Sequence, residues 1–389
     1  MNEFSDLFYF IDLVVTYCFI YIFVFEISQT MKRKLFFISL FLLLIICYII
    51  KTFFTQEVNP IRAFYYWKNQ AWDLGESEYQ TIKKLKVKKL YIKFFEVDKN
   101  DIQGIFPFAK NELYFSQYDS LENLIQIVPT VYIRNEVFKK TNKKDIFELA
   151  DNVLYLIEKK HKKQFKNNKN FREIQMDCDW TESTKNNYLL FLRVLKLKML
   201  KKPYFKKITT SATLRLYAYK FPDKMGVLPV DRAMLMCYNL IPPFDAGDRN
   251  SILNLNELNK YLVGADTYPI PLDIALPIYS SVQIYQNNSF SGIIYNEDST
   301  FMSQTKKLNN TWYVSKMDTV INDIFLRKGD KLKVEKLTFI TINRAIKLII
   351  ENVKLDENPT ISFFHLDDYE LTNFSHEELD SCYNHFKHY

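Results

Sequence analysis

Two apolar runs open the chain, and a strand–helix alternation follows them. The first run covers 7–25 and is broken only by Asp12; the second covers 35–50, with Met31-Lys32-Arg33-Lys34 between them. About twenty residues cross a bilayer, so the first run is long enough and the second is marginal. A cationic cluster between two spans stays cytoplasmic, which predicts that everything from residue 56 on lies outside the cytoplasm. A start at Met31 leads to the same side, because a basic turn before an apolar stretch is the layout of a signal anchor. A membrane anchor over 1–55, of one or two transmembrane helices, is therefore expected, with a cell-envelope location and a membrane partner through the N-terminus. No small-x-small cleavage site follows the second run, so the anchor is expected to be retained. Cys47, in Leu44-Ile45-Ile46-Cys47, reads as an apolar residue of that helix, with lipidation as the alternative.

From residue 56 to 389 the period switches repeatedly between two and 3.6. Strands are expected at 62–67, 89–97, 125–133, 171–180, 207–216, 232–239, 272–279 and 360–366. Helices are expected at 76–85, 143–160, 183–200, 255–262 and 377–386; on the third of these Leu189, Leu192, Leu195 and Met199 share a face. Strands alternating with helices predict an α/β fold with a parallel sheet, and eight strands close a (β/α)8 TIM-like barrel. The piece from about 280 to 358 is too long for one βα loop. It holds Trp312-Tyr313-Val314, a strand-like run at 331–339 and a helix at 343–353, and reads as a rim insertion before the last strand.

Composition adds limits rather than direction. Hydrophobic residues make up 48% of the chain, enough for a large core. The net charge of +7 comes from 52 basic residues interspersed with 45 acidic ones. No basic block is interleaved with aromatics, so no nucleic-acid partner is expected. Glycines number only 7, without a phosphate-cradling loop, and no cofactor is expected. Cys178, Cys237 and Cys382 lack paired spacing and read as small buried hydrophobes. Glu378, Cys382, His385 and His388 have metal-ligand side chains but sit where a terminal helix frays, and Asp245, Asp248 and Asn250 read as a polar turn. No metal site is expected from either group.

The sharpest chemical signal is Glu173-Ile-Gln-Met-Asp-Cys-Asp-Trp180. Alternate strand residues point to opposite faces, so Glu173, Gln175, Asp177 and Asp179 share one face and Ile174, Met176, Cys178 and Trp180 the other. In a barrel the acidic face points inward, where carboxylates are costly unless paired or solvated. The C-terminal mouth is the inexpensive place and the place where barrel enzymes keep their sites. Two carboxylates so spaced raise each other's affinity for a proton. A structural network with Arg215 or Lys93 is the alternative. Other strand ends add Tyr65 and Trp67, Arg215 beside Ser211 and Thr213, Tyr238 and Asn239, and Asp273. Aromatic rings at a mouth offer flat faces for stacking sugars.

Asp177-x-Asp179-Trp180 on the fourth strand, with Met236-x-Tyr238-Asn239 on the sixth, resembles the chitinase-type glycoside hydrolases of family eighteen. More closely, Gln175–Thr181, Ser211–Arg215, Leu235–Asn239, Pro269–Pro277 and Leu326–Asp330 resemble a family of bacterial envelope proteins, of unassigned activity, thought to be glycoside-hydrolase-like TIM barrels. That similarity covers about residues 60–389. It implies a polysaccharide substrate and general acid/base chemistry, with Asp179 or Glu182 as acid, Asp177 as partner, and Tyr65, Trp67, Gln175, Arg215, Tyr238, Asn239 and Asp273 around the sugar. One departure matters. Chitinase-type enzymes carry the acid two residues past the last aspartate, and that position here is Thr181, with Glu182 one residue further. A non-catalytic glycan-binding or structural envelope protein on a degenerate barrel is therefore the second expectation.

Overall fold

The computed structural model describes residues 16, 36–46, 59–68, 72–108, 113–114, 125–165, 171–242, 247–294, 301–321 and 324–388. The chain divides into two units, Met1–Gln56 and Glu57–Tyr389. In the first, residues 36–46 are helical, and Phe37, Ile38, Phe41, Leu42 and Leu44 are exposed along it. Among the described residues no helix is long and apolar enough to cross a membrane. The expected first span, apart from Thr16, and both ends of the second lie outside the described residues.

The second unit is built on eight strands: β1 (Ile61–Tyr66), β2 (Lys89–Asn100), β3 (Gln126–Ile133), β4 (Glu173–Asp177), β5 (Thr209–Arg215), β6 (Arg232–Met236), β7 (Leu272–Pro277) and β8 (Thr360–Phe364). Each pairs in parallel with the next, and β8 pairs in parallel with β1, which closes the barrel. The ring around it contains α1 (Glu76–Lys84), α2 (Lys143–Gln164), α3 (Lys185–Lys201), α4 (Leu216–Lys220), α5 (Leu255–Leu262), α6 (Phe339–Asn352) and α7 (His376–His385). Alternation sorts the side chains as the sequence predicts. Phe64, Leu90, Ile174, Met176, Leu214 and Ile361 pack outward against helix residues such as Ile146, Leu192 and Ile346. Ala63, Tyr65, Tyr91, Val128, Met234 and Ala275 fill the lumen.

Two boundaries differ from expectation for local reasons. β4 stops at Asp177, so Cys178, Asp179 and Trp180 lie past the ladder. Helix α6 starts at Phe339 because the Thr338 hydroxyl accepts the Thr341 N–H at 3.2 Å and caps it there. Its Ile342, Ala345, Ile346 and Ile349 belong to the barrel's outer core, so α6 is part of the ring. The insertion proper is a five-stranded antiparallel sheet in the order Ser289–Ile294, Ser281–Gln286, Lys331–Glu335, Trp312–Ser315, Thr305–Lys307, with a hairpin of Thr319–Ile321 and Ile324–Leu326. It has its own core of Val282, Ile284, Phe301, Ile321, Leu326 and Leu332.

The N-terminal end of the barrel is closed by ion pairs. Lys89, first in β2, donates to Glu173, first in β4, at 3.0 Å, and the Ser211 hydroxyl donates to the same carboxylate at 2.7 Å. Arg232, first in β6, donates to Asp273 at 2.7 Å, and the Thr360 N–H reaches Asp273 at 2.6 Å. Asp273 is fully buried. Removing one member of such a pair strands the other charge. Arg232→Ala is therefore expected to lower stability by ~3–5 kcal/mol, read as the denaturant midpoint of the chain. An unchanged midpoint would refute the structural role of the pair.

Candidate functional site

Seven of the eight strands send side chains to the C-terminal mouth, and β7 is followed there by Tyr279. A cleft of about 900 Å³ opens there, and its floor carries Asp177 and Thr213. Trp67 and Lys68 follow β1, Lys93 and Glu96 come from β2, and Tyr132 from β3; Tyr238, Asn239 and Tyr279 follow β6 and β7. The stretch after β8 supplies His365, Asp367 and Glu370. A second hollow of about 520 Å³ shares Asp179, Arg215, Tyr238, Asn239 and Tyr279 with the first and reaches Ser281, Gln283 and Ile293 of the insertion. The two share a wall, so the groove runs from the barrel axis out to the rim.

The acidic ladder of β4 is divided among several tasks. Glu173 belongs to the closed end. Gln175, one layer up, accepts the Tyr65 hydroxyl at 2.8 Å, and its buried Nε2 has no hydrogen-bond partner among the described residues. Asp177 is the last strand residue; it is 8% exposed and accepts the Thr213 hydroxyl at 2.6 Å. Burial, and next the negative charge of Asp179, push its carboxyl up to about 7, against the pull of Thr213, Arg215 and Lys93. Asp179, beyond the ladder, has a side chain 51% exposed and lies 3.3 Å from Arg215 Nε. Two carboxyls from one strand end thus meet very different surroundings.

Aromatic rings wall the cleft and hold one another. Tyr65 stacks on Tyr91 with ring centres 5.0 Å apart and meets Trp67 at 6.0 Å and Phe364 at 5.6 Å. Tyr238 lies 5.2 Å from Phe364 and 6.4 Å from Tyr279. The Tyr279 hydroxyl donates to Asn239 Oδ1 at 2.5 Å. Asn239 has φ +53°, a left-handed conformation that asparagine tolerates better than most residues.

Of the residues read from sequence, the structure gathers Tyr65, Trp67, Asp177, Asp179, Arg215, Tyr238 and Asn239 around the groove. Gln175 lies below it. Two others are elsewhere. Asp273 is held at the opposite end of the barrel by Arg232. Glu182 is exposed in the turn before α3 and lines neither hollow. Thr181 is also taken up by that turn: its N–H donates to Thr184 Oγ1 at 2.9 Å, and its hydroxyl meets that of Ser183 at 3.0 Å.

Other groove residues, Glu96 and Glu370 among them, escaped the sequence reading, and Lys93 entered it only as a structural partner of the acidic ladder. A register shift between Lys93 and Phe95 turns both Lys93 and Glu96 to the mouth, where Nζ and Oε1 are 2.6 Å apart. Strict alternation puts them on opposite faces, and a bulge leaves no composition signal. Lys93 also sits 5.3 Å above the Trp67 ring, a cation–π contact. Glu370 comes from the single-turn helix Asp368–Leu371 beyond β8, too short to carry a period.

No family model matches the chain, and no curated protein matches it in sequence. Among solved structures the chain is similar to the spore cortex-lytic enzyme SleL of Bacillus megaterium QM B1551, at 15% identity over 82% of this chain and 75% of that one, with a TM-score of 0.47. It is similar to a chitinase from Chromobacterium violaceum ATCC 12472 at 10% identity over 84% and 98%, with a TM-score of 0.46. A Group IV chitinase from Ostrinia furnacalis gives 12% identity over 84% and 99%, and a TM-score of 0.46. The structural neighbours are chitinases and spore cortex-lytic enzymes at low identity, while the barrel is established by the strand pairing of the chain itself.

Proposed function

We propose that the groove binds a polysaccharide and that Asp177 is the acid that protonates a glycosidic oxygen in it. The observation that carries this reading is a buried carboxyl at the barrel mouth, open to the groove, that holds its proton to about pH 7. Most glycoside hydrolases pair such a donor with a second carboxylate. Asp179, half-exposed and 3.3 Å from Arg215, is the second carboxylate, and its charge adds to the burial that raises Asp177. This reading reverses the roles expected from sequence, where Asp179 or Glu182 was the acid and Asp177 its partner. Trp67, half-buried at the mouth, gives the groove a flat apolar face for a sugar ring, and the buried Tyr65, Tyr238 and Tyr279 pack in the walls.

A second reading rests on Thr181. Where chitinase-type enzymes carry their acid, this chain has a hydroxyl spent on a turn, which favours a non-catalytic glycan-binding protein. The test takes the full chain in detergent against cell-wall glycans, dietary glycans and chitin oligosaccharides. On the first reading Asp177→Asn lowers turnover by about 10²–10⁴-fold with binding kept, and Asp179→Asn lowers it less. Wild-type binding without turnover selects the second.

Asp177 also makes a prediction that needs no substrate. Its folded carboxyl titrates near 7 against an ordinary 3.8, so the folded chain binds the proton more tightly than the unfolded one. Stability from this group is therefore full below about pH 4 and is lost as pH rises towards 7. Asparagine carries no such loss and can still accept from Thr213. Asp177→Asn should gain on wild type by ~2–4 kcal/mol between pH 4 and pH 8, measured by denaturant titration. A gap independent of pH would contradict the raised proton affinity.

The exposed apolar helix over 36–46 lies within the second apolar run and supports an envelope location, with that run, alone or with the one before it, as anchor and the barrel outside the cytoplasm. A reporter fused after residue 60 is expected to be active only outside the inner membrane, and cytoplasmic activity would refute this.

A further inference from the structure

Basic residues are scattered along the sequence, but the fold gathers two groups of them. Residues 159–172 and 193–209 carry seven basic residues each and no acidic one. The first stretch runs from the last turns of α2 to β4, the second from the C-terminal half of α3 to β5. Strands β4 and β5 are neighbours, and barrel helices run back against their strands, so both stretches lie at the closed end. Contacts between them fix the juxtaposition. His161 Nδ1 and the Tyr204 hydroxyl are 2.7 Å apart, Lys162 lies 4.9 Å from the centre of the Tyr204 ring, and the Thr209 N–H donates to the Arg172 carbonyl at 2.9 Å.

Part of this charge is used locally. Lys162 pairs with Glu158, Lys196 with Asp231 and Lys198 with Asp151, and a cation in a helix's last turn also answers the helix dipole. Arg172, Lys201, Lys206 and Lys207 are exposed, and no carboxylate pairs with them among the described residues. Leu197 and Leu200, three residues apart on one face of α3, are 59% and 61% exposed beside them. The rings of the same stretches turn inward: Phe171 stacks on His161 at 4.3 Å, and Phe165 and Phe205 are buried. Exposed cations with exposed aliphatic side chains suit anionic headgroups above acyl chains. Stacking of nucleic-acid bases needs exposed rings, which these stretches lack. Across the ring, the end of α6 and the run into β8 set Glu351, Asp356 and Glu357 against Lys347 and Lys354, so the basic face belongs to the β4–β5 side.

We propose that this face rests on an anionic bilayer surface, with the lysines at lipid phosphates and Leu197 and Leu200 in the headgroup boundary. The inference rests on the envelope reading of the N-terminal apolar runs and is independent of the glycan-cleaving one. The chain enters the barrel at this same end, at Ile61, and ten residues separate that strand from the second apolar run. Attraction of a lysine to a charged leaflet fades within a Debye length, so it acts on the end of the barrel that a short tether holds near the lipid. Seated this way, the barrel turns its mouth away from the membrane, towards polymers of the envelope.

The experiment places the full chain in lipid nanodiscs of phosphatidylcholine, alone or with phosphatidylglycerol, and reads lysine acylation by mass spectrometry. The expected result is several-fold lower labelling of Lys201, Lys206 and Lys207 in the phosphatidylglycerol discs, reversed by high salt. Lys306 of the insertion and Lys347 of α6 should label alike in both discs. Lys201→Glu combined with Lys206→Glu and Lys207→Glu should abolish the protection of Lys202 at an unchanged thermal melt. If that variant fails to fold, the salt titration of the wild type carries the test. Equal labelling in the two discs overturns the proposal, as does protection that survives charge reversal. Stronger protection by a single-stranded oligonucleotide than by the anionic discs assigns the face to a polyanion and overturns it too. Entry into the discs reports the anchor separately: a chain that stays outside both overturns the envelope reading, while the face is still judged by its labelling.

Discussion

Closing eight parallel strands on one another leaves alternate side chains no exit except the two ends of the barrel. That constraint governs each polar residue inside. A carboxylate in the lumen must find a cation, a set of donors, or a proton. Along β4 these solutions appear in order. Glu173 takes Lys89, neutral Gln175 takes Tyr65, Asp177 has one hydroxyl and a proton, and Asp179 has passed the rim and takes Arg215 with solvent. Chemistry concentrates at the mouth because the closed end is already neutralised, by Lys89 with Glu173 and by Arg232 with Asp273.

Whatever alternation encodes could be read from the chain. The eight strands, the inward face of β4 and the aromatic strand ends all follow from period two, and the covering helices from period 3.6. Depth could not be read. Asp273 and Asp177 look alike in sequence as inward acids, yet Asp273 is second in its strand and Asp177 last in its own, which puts a barrel's height between them. Departures from the period were also hidden. The shift at Lys93 brings Glu96 inside, and the turn after β8 brings Glu370 to the hollow through contacts with Ser280, 90 residues away in the chain. The α6 boundary was misplaced because Phe339-Ile340-Thr341-Ile342 suits a strand as well as a helix, and one capping hydroxyl decides it.

The insertion shapes the groove as well as decorating the rim. Glu335, fully buried, accepts the Ser251 N–H at 2.7 Å and the Ser251 hydroxyl at 2.5 Å, with Gln283 at 2.8 Å and Lys333 at 3.1 Å. Ser251 lies in the segment after β6, beside the turn whose Asn239 is held by Tyr279. One buried carboxylate therefore registers the antiparallel sheet against the sixth strand's loop. The smaller hollow, with Ser281, Gln283 and Ile293 as its outer wall, exists because of that registration. The groove is then a continuous surface rather than a pit.

The position of the proposed acid has a further consequence. An acid carried two residues beyond the last aspartate would sit in the turn that here contains Thr181, Ser183 and Thr184, where its surroundings depend on a loop. Asp177 is instead the last residue of a strand paired on both sides. Its carboxyl is held by Thr213 of the neighbouring strand, so its burial is a property of the barrel itself. A proton affinity set by burial is maintained only while water is kept from the group, and a strand end excludes water more reliably than a turn. The proposed donor therefore stands in the part of the fold least able to relax.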